Sequence, residues 1–385
     1  MNRKMISVIL LQVFLLTQGA LAIEHRQLKA PELSLAHIGE EVTCYRPMRR
    51  GAPNLSIVID GEKIIANNSG HGGAGWTLGP GSSTYVVDRL LSQYNNQYDK
   101  SLALTTPIAV IGAGALGLYS ALELYQRGFR DITIISAEFD HLTSHNAGGL
   151  LAPVSMDNNA EMQNILTKIG LDAYEFYRKI AEGRHDFIDK RAARIVPTYF
   201  RNREMSGLEP YVGKVMQAAK DVVLDFGTGT TQTMVAYDDG IFMDTDLLIH
   251  ELRNFLKHKV QFEQRKINAY SEVKQDIIIS CVGLGARELN NDKTMVPVQG
   301  HLLMLKDQNP KDLEYMILVY GDEYVNHNGF KVKESFYFFP KSRPGNINNI
   351  GVLGGTFIEG ADTDTPHPEA FSAILVRAKA FYGLK

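Results

Sequence analysis

The hydrophobic pattern near the start of the chain predicts two strand segments and one helix. EEVTCYRPMRR is typical of a short strand ending at Pro47, and LSIVIDGEKIIANN predicts a hairpin across Asp60-Gly61. Apolar residues then recur at helical spacing, so we expect a helix capped by Ser82 or Ser83. The polar segment NNQYDKSLALTTP, which follows that helix, predicts a linker.

The middle of the chain carries the pattern of a βαβ unit over residues 106–147. IAVIGAG is a short β-branched run that enters a glycine turn, as a buried parallel strand does. ALGLYSALELYQRG predicts the helix that follows, with Gly128 at its C-terminal cap, and DITIIS predicts the next parallel strand.

Helices and mixed strands are expected beyond Asn159. TDLLIHELRNFLKH and VQFEQRKI predict a helix followed by a strand, and QDIIIS predicts another strand that runs into glycines. HLLMLK, SFYFFP and NIGVLGGTF alternate as antiparallel strands do, before a last helix in HPEAFSAILVRAKAFYGL. These patterns predict an α/β fold with a Rossmann-like domain and an α+β domain built on a mixed or antiparallel sheet.

Composition narrows the class of protein. A chain of 385 residues suggests two domains, and its 44% hydrophobic and 22% charged residues are ordinary for a globular enzyme. The net charge of −3 and the lack of a basic block argue against a nucleic-acid partner. Cys44 and Cys281 show no metal-ligand spacing, so we expect no metal site. They could pair, but we expect free, buried thiols.

The first 22 residues have the pattern of a secretory signal peptide. A short basic start, MNRK, precedes the apolar run MISVILLQVFLLT, and Ala20 to Ala22 fit a small-residue cleavage site. We expect an exported protein that begins near Ile23 and has no stable membrane insertion after cleavage. An uncleaved membrane anchor is the alternative.

The glycine turn after IAVI has dinucleotide-binding spacing. Gly112 permits a tight turn, Gly114 allows close approach to a pyrophosphate, and Gly117 allows close packing of helix and strand. Glu138 follows the second strand, where its carboxylate could accept hydrogen bonds from an adenosine ribose; the alternative is a surface glutamate. An acid at this position favours FAD or NAD over NADP.

The loop HLTSHNAGGLLAPVS favours a flavin. It offers the hydroxyls of Thr143 and Ser144 and then a pair of glycines at 148 and 149, with Leu150 next to them. Small residues are needed where a flat flavin ring lies close to backbone. We therefore expect Thr143, Ser144, Gly149 and Leu150 to bind the cofactor.

Several segments resemble those of the D-amino-acid oxidase (DAO) family of flavoenzymes. They occur in the family's order from Ile108 to about Phe357, and they are VIGAGALGLYSALEL, LTSHNAGGLLAP, VQFEQRKI, DIIISCVGLGARELNND, VPVQGHLLMLK, FYFFP and GVLGGTF. Family members end with an arginine-proline segment and a histidine-diglycine turn. Here HIGEEVTCYRP and GHGGAGWTLGPGSS, both near the start, resemble those two pieces. The resemblance therefore implies a circularly permuted member of the family, with FAD as its cofactor.

The resemblance also implies roles for individual residues. Arg46 would clamp the substrate carboxylate, Tyr337 would share it, and the carbonyl of Gly73 would accept from the substrate amine. Backbone contacts to the flavin are implied for Gly72, Gly73, Gly75, Trp76 and Thr77, and a contact to the adenine for Ile267. Taken without the family, Arg46 is an ordinary charge at a strand end and Tyr337 an ordinary core aromatic.

The implied division of the chain alternates between two domains. The FAD-binding domain would comprise 38–157, including the permuted segment 38–95, and 244–290, while the substrate domain would comprise 158–243 and 291–385.

The implied function is oxidative deamination of D-amino acids to 2-oxo acids, with oxygen or another electron acceptor. An oxidase or dehydrogenase of glycine or secondary amines and a non-catalytic flavin-binding protein are the alternatives. The chain departs from the family at Ala74, where an aromatic is frequent, and in a longer lid region. There Lys331 or Lys333 could hold an acidic side chain, although solvated surface lysines are the simpler interpretation.

Overall fold

The computed structural model describes residues 23–153, 156, 159–342 and 346–385. The predicted signal peptide, residues 1–22, lies outside the described residues. Among those described, the strands are β1 (Glu24–Gln27), β2 (Ile38–Arg49), β3 (Ile57–Asp60), β4 (Lys63–Asn67), β5 (Ile108–Ile111), β6 (Ile132–Ser136), β7 (Ala193–Ile195), β8 (Thr198–Phe200), β9 (Lys220–Asp225), β10 (Thr231–Tyr237), β11 (Ile241–Met243), β12 (Gln261–Gln264), β13 (Ile277–Ser280), β14 (Met295–Leu305), β15 (Met316–Val319), β16 (Glu323–Val325), β17 (Lys331–Ser342) and β18 (Ile350–Glu359). The α-helices are α1 (Gly75–Tyr98), α2 (Ala115–Gln126), α3 (Ala160–Ala181), α4 (Thr245–Leu256), α5 (Ala286–Leu289) and α6 (Glu369–Tyr382).

A six-stranded sheet forms the first half of the architecture. Its order is β12-β6-β5-β13-β4-β3, and every neighbouring pair is parallel except the β3–β4 hairpin. The βαβ unit β5-α2-β6 and the hairpin are therefore confirmed. Strand β5 is buried along its whole length, as expected of an apolar strand with neighbours on both sides.

A ten-stranded, mostly antiparallel sheet forms the second half. Its order is β1-β9-β10-β8-β15-β17-β18-β14-β2, with β16 paired to β17, and α6 packs on β14, β17 and β18. The predicted antiparallel arrangement of the last strands is confirmed. A separate two-stranded ribbon, β7 with β11, completes the strands of the described residues.

Strand β2 differs from its prediction in length and in place. It continues past Pro47 to Arg49, because Pro47 lies opposite Pro297 on β14 and neither residue has an N–H to leave unpaired. It is also an edge strand of the ten-stranded sheet. The predicted division had assigned residues from 38 onward to the cofactor domain, whereas only the segment from β3 onward enters the six-stranded sheet.

Helix α1 begins at Gly75, so the predicted cap at Ser82 or Ser83 is wrong. Both serines are buried inside the helix, and the glycines before them allow close packing. A Cβ at Gly79 would lie 2.7 Å from the ring of Tyr119, and one at Gly81 would overlap backbone of α3. Local sequence favours a glycine-rich loop here, and the contacts with α2 and α3 override that preference.

Pro80 lies inside α1 and removes the hydrogen bond that its N–H would have donated to the carbonyl of Trp76. The hydroxyl of Tyr177 on α3 donates to that carbonyl at 2.6 Å instead. The helix therefore continues past Pro80, because the carbonyl that the proline leaves without a backbone donor still accepts a hydrogen bond. No helix in the described part of the chain has the length and apolar character needed to cross a membrane.

Candidate flavin and substrate site

Four adjoining cavities run from the six-stranded sheet to the ten-stranded sheet. We name them distal (about 400 Å³), central (about 310 Å³), inner (about 70 Å³) and outer (about 450 Å³). Adjacent cavities share wall residues. Gly112, Ser136 and Val282 line both the distal and the central cavity. Tyr320 and Phe357 line both the inner and the outer cavity. The walls common to the central and inner cavities are Arg46, Gly73, Trp76, Ala147, Gly148 and Tyr337.

The turn between β5 and α2 presents bare backbone to the distal and central cavities. Gly112 has φ +104°, and a Cβ there would overlap the carbonyl oxygen of Cys281, so only glycine fits. A Cβ at Gly117 would overlap the carbonyl of Gly112, which explains the third glycine as a packing requirement. The hydroxyl of Ser144 accepts from the N–H of Ala115 at 3.0 Å, at the start of α2. The N-terminus of α2 thus faces the cavity with its positive dipole end.

The segment from His71 to Trp76 forms the opposite wall of the central cavity. A 3-10 turn at Gly72–Ala74 leads directly into α1, so a second helix begins at the cleft. The indole Nε1 of Trp76 donates to the carbonyl of Ser144 at 2.9 Å. Thr77 donates its hydroxyl to the carbonyl of Ala152 at 3.1 Å. These bonds tie the start of α1 to the loop that follows β6.

Lys341 secures the same loop from the ten-stranded sheet. Its side chain is 1% exposed, and its Nζ donates to the carbonyl of His145 at 3.0 Å and to the hydroxyl of Thr245 at 2.6 Å. Asp246 lies 3.2 Å from the same ammonium. A buried lysine of this kind is tolerated because a carboxylate and two oxygen acceptors compensate its lost hydration.

Arg46 and Tyr337 converge although they stand on β2 and β17. The guanidinium of Arg46 crosses β14 at Gly300, where a Cβ would come within 2.9 Å of its Cζ. It then donates to the carbonyl of Thr356 at 3.2 Å and lies 4.3 Å from the ring centroid of Phe357. Tyr337 has room for its phenol because β18 carries Gly354, where a Cβ would lie 2.6 Å from Cε2 of Tyr337.

Burial controls the charge of the titratable groups at the cavity. It lowers the pKa of His71 to about 4, so this imidazole is neutral at physiological pH. It raises the pKa of Tyr337 to about 12 against the opposing effect of Arg46, so the phenol stays protonated. Burial also raises the pKa of Cys44, and that of Cys281 to about 12. Both cysteines are free and buried, as expected. The guanidinium of Arg46 is then the fixed charge at this wall.

Most of the residues expected at the site lie along these cavities. In the central cavity the predicted residues are Arg46, Gly72, Gly73, Gly75, Trp76, Gly112, Gly114, Thr143, Ser144 and Tyr337. Thr77, Gly149 and Leu150 line the inner cavity, and Ile267 lines the distal cavity.

Two predicted residues do not line the cavities. Gly117 acts through packing, as described above. Glu138 is exposed, and its backbone carbonyl accepts from the hydroxyl of Ser136 at 2.6 Å. Its contact with a ribose stays a prediction.

Sequence reasoning missed the aromatic wall of the inner cavity. Tyr320, Phe339 and Phe357 line it, and Phe339 stacks on Tyr337 with ring centroids 4.5 Å apart. Phe339 carried a usable signal, because it lies two residues after Tyr337 on the same strand and so faces the same side. Tyr320 and Phe357 carried none beyond their apolar character.

Comparison with known proteins identifies the family. The profile of the DAO family, described as FAD dependent oxidoreductase, matches residues 107–383. D-amino-acid oxidase of Streptomyces coelicolor is 28% identical over 282 residues, covering 71% of this chain and 77% of that protein. D-amino-acid oxidase of Dictyostelium discoideum is 26% identical over 215 residues, which are 54% of this chain. The match spans 59% of the length of that relative.

Solved structures of lower identity are also similar to this chain. Glycine oxidase from Bacillus cereus superposes with a TM-score of 0.47 at 16% identity, covering 71% of this chain and 77% of that one. L-proline dehydrogenase from P. horikoshii superposes with a TM-score of 0.48 at 14% identity, covering 73% and 76%.

The chain belongs to the DAO family of FAD-dependent oxidoreductases, and its cofactor is FAD. The cavities fit that group. Side chains are excluded at the turn of Gly112, the N-terminus of α2 faces the position for a pyrophosphate, and small residues line the central cavity. Both ring nitrogens of buried His71 also lack a partner among the described residues, which leaves polar groups for a ligand to satisfy.

Proposed function

We propose that the protein oxidises D-amino acids to 2-oxo acids and ammonia. The observation that carries this proposal is the convergence of Arg46, Tyr337 and Gly73 on one wall between the central and inner cavities. The cation and the phenol at this wall are suited to bind the carboxylate of an amino acid, and the backbone carbonyl is suited to bind its amine. The curated relatives at 26% and 28% identity are D-amino-acid oxidases, which favours this substrate class.

Arg46 binds the substrate carboxylate in this proposal. Its planar guanidinium matches the two carboxylate oxygens, and the phenol of Tyr337 donates to one of them. Gly300 and Thr356 hold the guanidinium in place before the substrate arrives. The substrate therefore meets an arranged site, which lowers the entropic cost of alignment.

Gly73 orients the amine. Its carbonyl accepts a hydrogen bond from the neutral amino group. This contact aligns the lone pair of the amine nitrogen with the Cα–H bond that breaks, so that the C=N bond of the imino acid can form. Bound FAD supplies the acceptor for that hydrogen and its electron pair. The resulting imino acid is hydrolysed by water to the 2-oxo acid and ammonia, and oxygen or another acceptor takes the electrons onward.

Anaerobic absorbance tests the proposal. The FAD-loaded protein is expected to lose its yellow colour with D-alanine and to keep it with L-alanine. Bleaching by sarcosine or glycine alone would assign an amine or glycine oxidase or dehydrogenase instead, and a yellow protein that no amine bleaches would assign a binding protein.

We also propose that the chain is exported. The basic, apolar and small-residue pattern of residues 1–22 supports export. Mass spectrometry of an extracytoplasmic fraction is expected to find a mature N-terminus at Ile23. Intact Met1 on cytosolic protein would contradict it.

We further propose that the order of the family's segments is circularly permuted. Two contacts support the idea: β2 pairs with β14, and β4 pairs with β13, so residues ahead of the family match pack on elements within it. A rearranged chain starting at Pro107, with 38–105 placed after Lys385, is expected to fold and bind FAD. A rearranged chain that folds but cannot bind FAD would contradict the permutation.

A further inference from the structure

The outer cavity is separated from the Arg46 site by two aromatic side chains. Phe357 and Tyr320 line both the outer cavity and the inner cavity, and Arg46 lines the inner cavity with them. Beyond these rings the outer cavity has a volume of about 450 Å³, which is large enough for a long side chain. Its apolar wall includes Met48, Met156, Met205, Pro153 and Val298.

The charged residues of the outer cavity are mostly paired with one another. Arg50 donates to Glu359 at 2.6 Å, and Lys331 lies 2.6 Å from Glu323. Lys333 also lines the cavity, and within the part of the chain that the structure describes no carboxylate lies at ion-pair distance from it. Glu204, the remaining acid of the wall, is exposed.

Lys333 and Arg46 each lie close to one of the two separating rings. Lys333 lies directly opposite Phe357 in the β17–β18 pairing, and the guanidinium of Arg46 lies 4.3 Å from the ring centroid of Phe357. The Nζ of Lys333 is 4.7 Å from the ring centroid of Tyr320, which places the ammonium over the second separating ring. One cation therefore lies on the inner side of the aromatic pair and one on the outer side.

We infer that the outer cavity is the side-chain subsite and that Lys333 binds a carboxylate there, so that acidic D-amino acids are the preferred substrates. This inference rests on the proposed function. Lys331 lines the same cavity but forms an ion pair with Glu323, which lies opposite Lys333 in the β16–β17 register. Lys333 is therefore the lysine assigned to this role, since its ammonium is not at ion-pair distance from a described carboxylate. Arg46 takes the α-carboxylate, and Lys333 takes the side-chain carboxylate of D-glutamate or D-aspartate.

Pairs of isosteric substrates isolate the effect of the side-chain charge of the substrate. The FAD-loaded enzyme is assayed with D-glutamate against D-glutamine and D-aspartate against D-asparagine, and the readout is the ratio of kcat/KM within each pair. The acidic member is expected to be preferred about tenfold or more in at least one pair. Lys333→Gln is expected to lower that ratio about tenfold through KM, and Lys333→Arg to retain it.

A control variant separates Lys333 from general charge effects. Lys311→Gln removes one positive charge from an exposed position of the same half of the molecule. It is expected to leave the ratios within about twofold of wild type.

The outcomes distinguish the two proposals. If no D-amino acid bleaches the flavin, the proposed function fails and this inference fails with it. If neutral D-amino acids bleach the flavin but the wild-type ratios are near one, or Lys333→Gln leaves them unchanged, only the inference is overturned.

Discussion

Replacing Arg46 tests the part of the site on which the proposed chemistry depends. Its guanidinium crosses β14 at Gly300, where no side chain obstructs it, and the carbonyl of Thr356 fixes one of its nitrogens. A substrate carboxylate that enters this enclosed wall loses hydration, so it needs an opposite charge already in position. Arg46→Ala removes that charge together with the hydrogen bonds.

The expected loss follows from the number of bonds. Two charge-assisted hydrogen bonds, each worth roughly 1.5–3 kcal/mol, amount to about 3–6 kcal/mol, or a fall of about 10²- to 10⁴-fold in kcat/KM. Arg46→Lys keeps the charge but loses the planar pair of donors, so we expect an intermediate loss and poorer alignment of the α-hydrogen.

Anaerobic stopped-flow measures how fast the best D-amino acid reduces the flavin in each variant. Absorbance after gel filtration measures the amount of FAD per chain. FAD occupancy is expected to remain near that of wild type, because the dinucleotide turn at Gly112 is untouched. A kcat/KM of Arg46→Ala within about fivefold of wild type would remove this residue from the site and with it the proposed carboxylate clamp.

Three further predictions concern packing and pH. Gly300→Ala places a methyl group against the guanidinium of Arg46, so KM for the D-amino acid is expected to rise about tenfold or more with FAD still bound; an unchanged KM would show that the guanidinium is not held there. Gly117→Ala brings a methyl group onto the carbonyl of Gly112, so FAD occupancy and Tm are both expected to fall, and normal values of both would contradict this packing. Burial lowers the pKa of His71 from 6.5 to about 4, so the unfolded chain binds more protons than the folded chain between these pH values. The free energy of unfolding therefore declines as the pH falls through that window, by about 1.4 kcal/mol per pH unit. Denaturant titrations from pH 7.5 to 4.5 are expected to show a shallower decline for His71→Asn, and an equal slope would contradict the assignment.

The parts of the fold that depend on neighbouring residues were predictable. The strand, turn and helix around Gly112 involve fewer than 20 consecutive residues, and the β3–β4 hairpin depends on one short connection. Arg46 and Tyr337 were found through the family resemblance, and the structure brings them to one wall. The start of α1 was not predictable, because its glycines are helical only through contacts with Tyr119 and with α3.

By itself, the sequence determined the dinucleotide turn, the alternation of the last strands and the resemblance to a flavoenzyme family, because each depends on local spacing or on motif order. Only the tertiary structure decided which side chains meet. Sheet order brings β2 beside β14 and β17 beside β18, so Arg46, Tyr337 and Phe357 converge across more than 300 residues of chain. It also decided that Glu323 pairs with Lys331, although Glu323 lies opposite Lys333 in the β16–β17 register; the composition of the segment does not distinguish the two lysines.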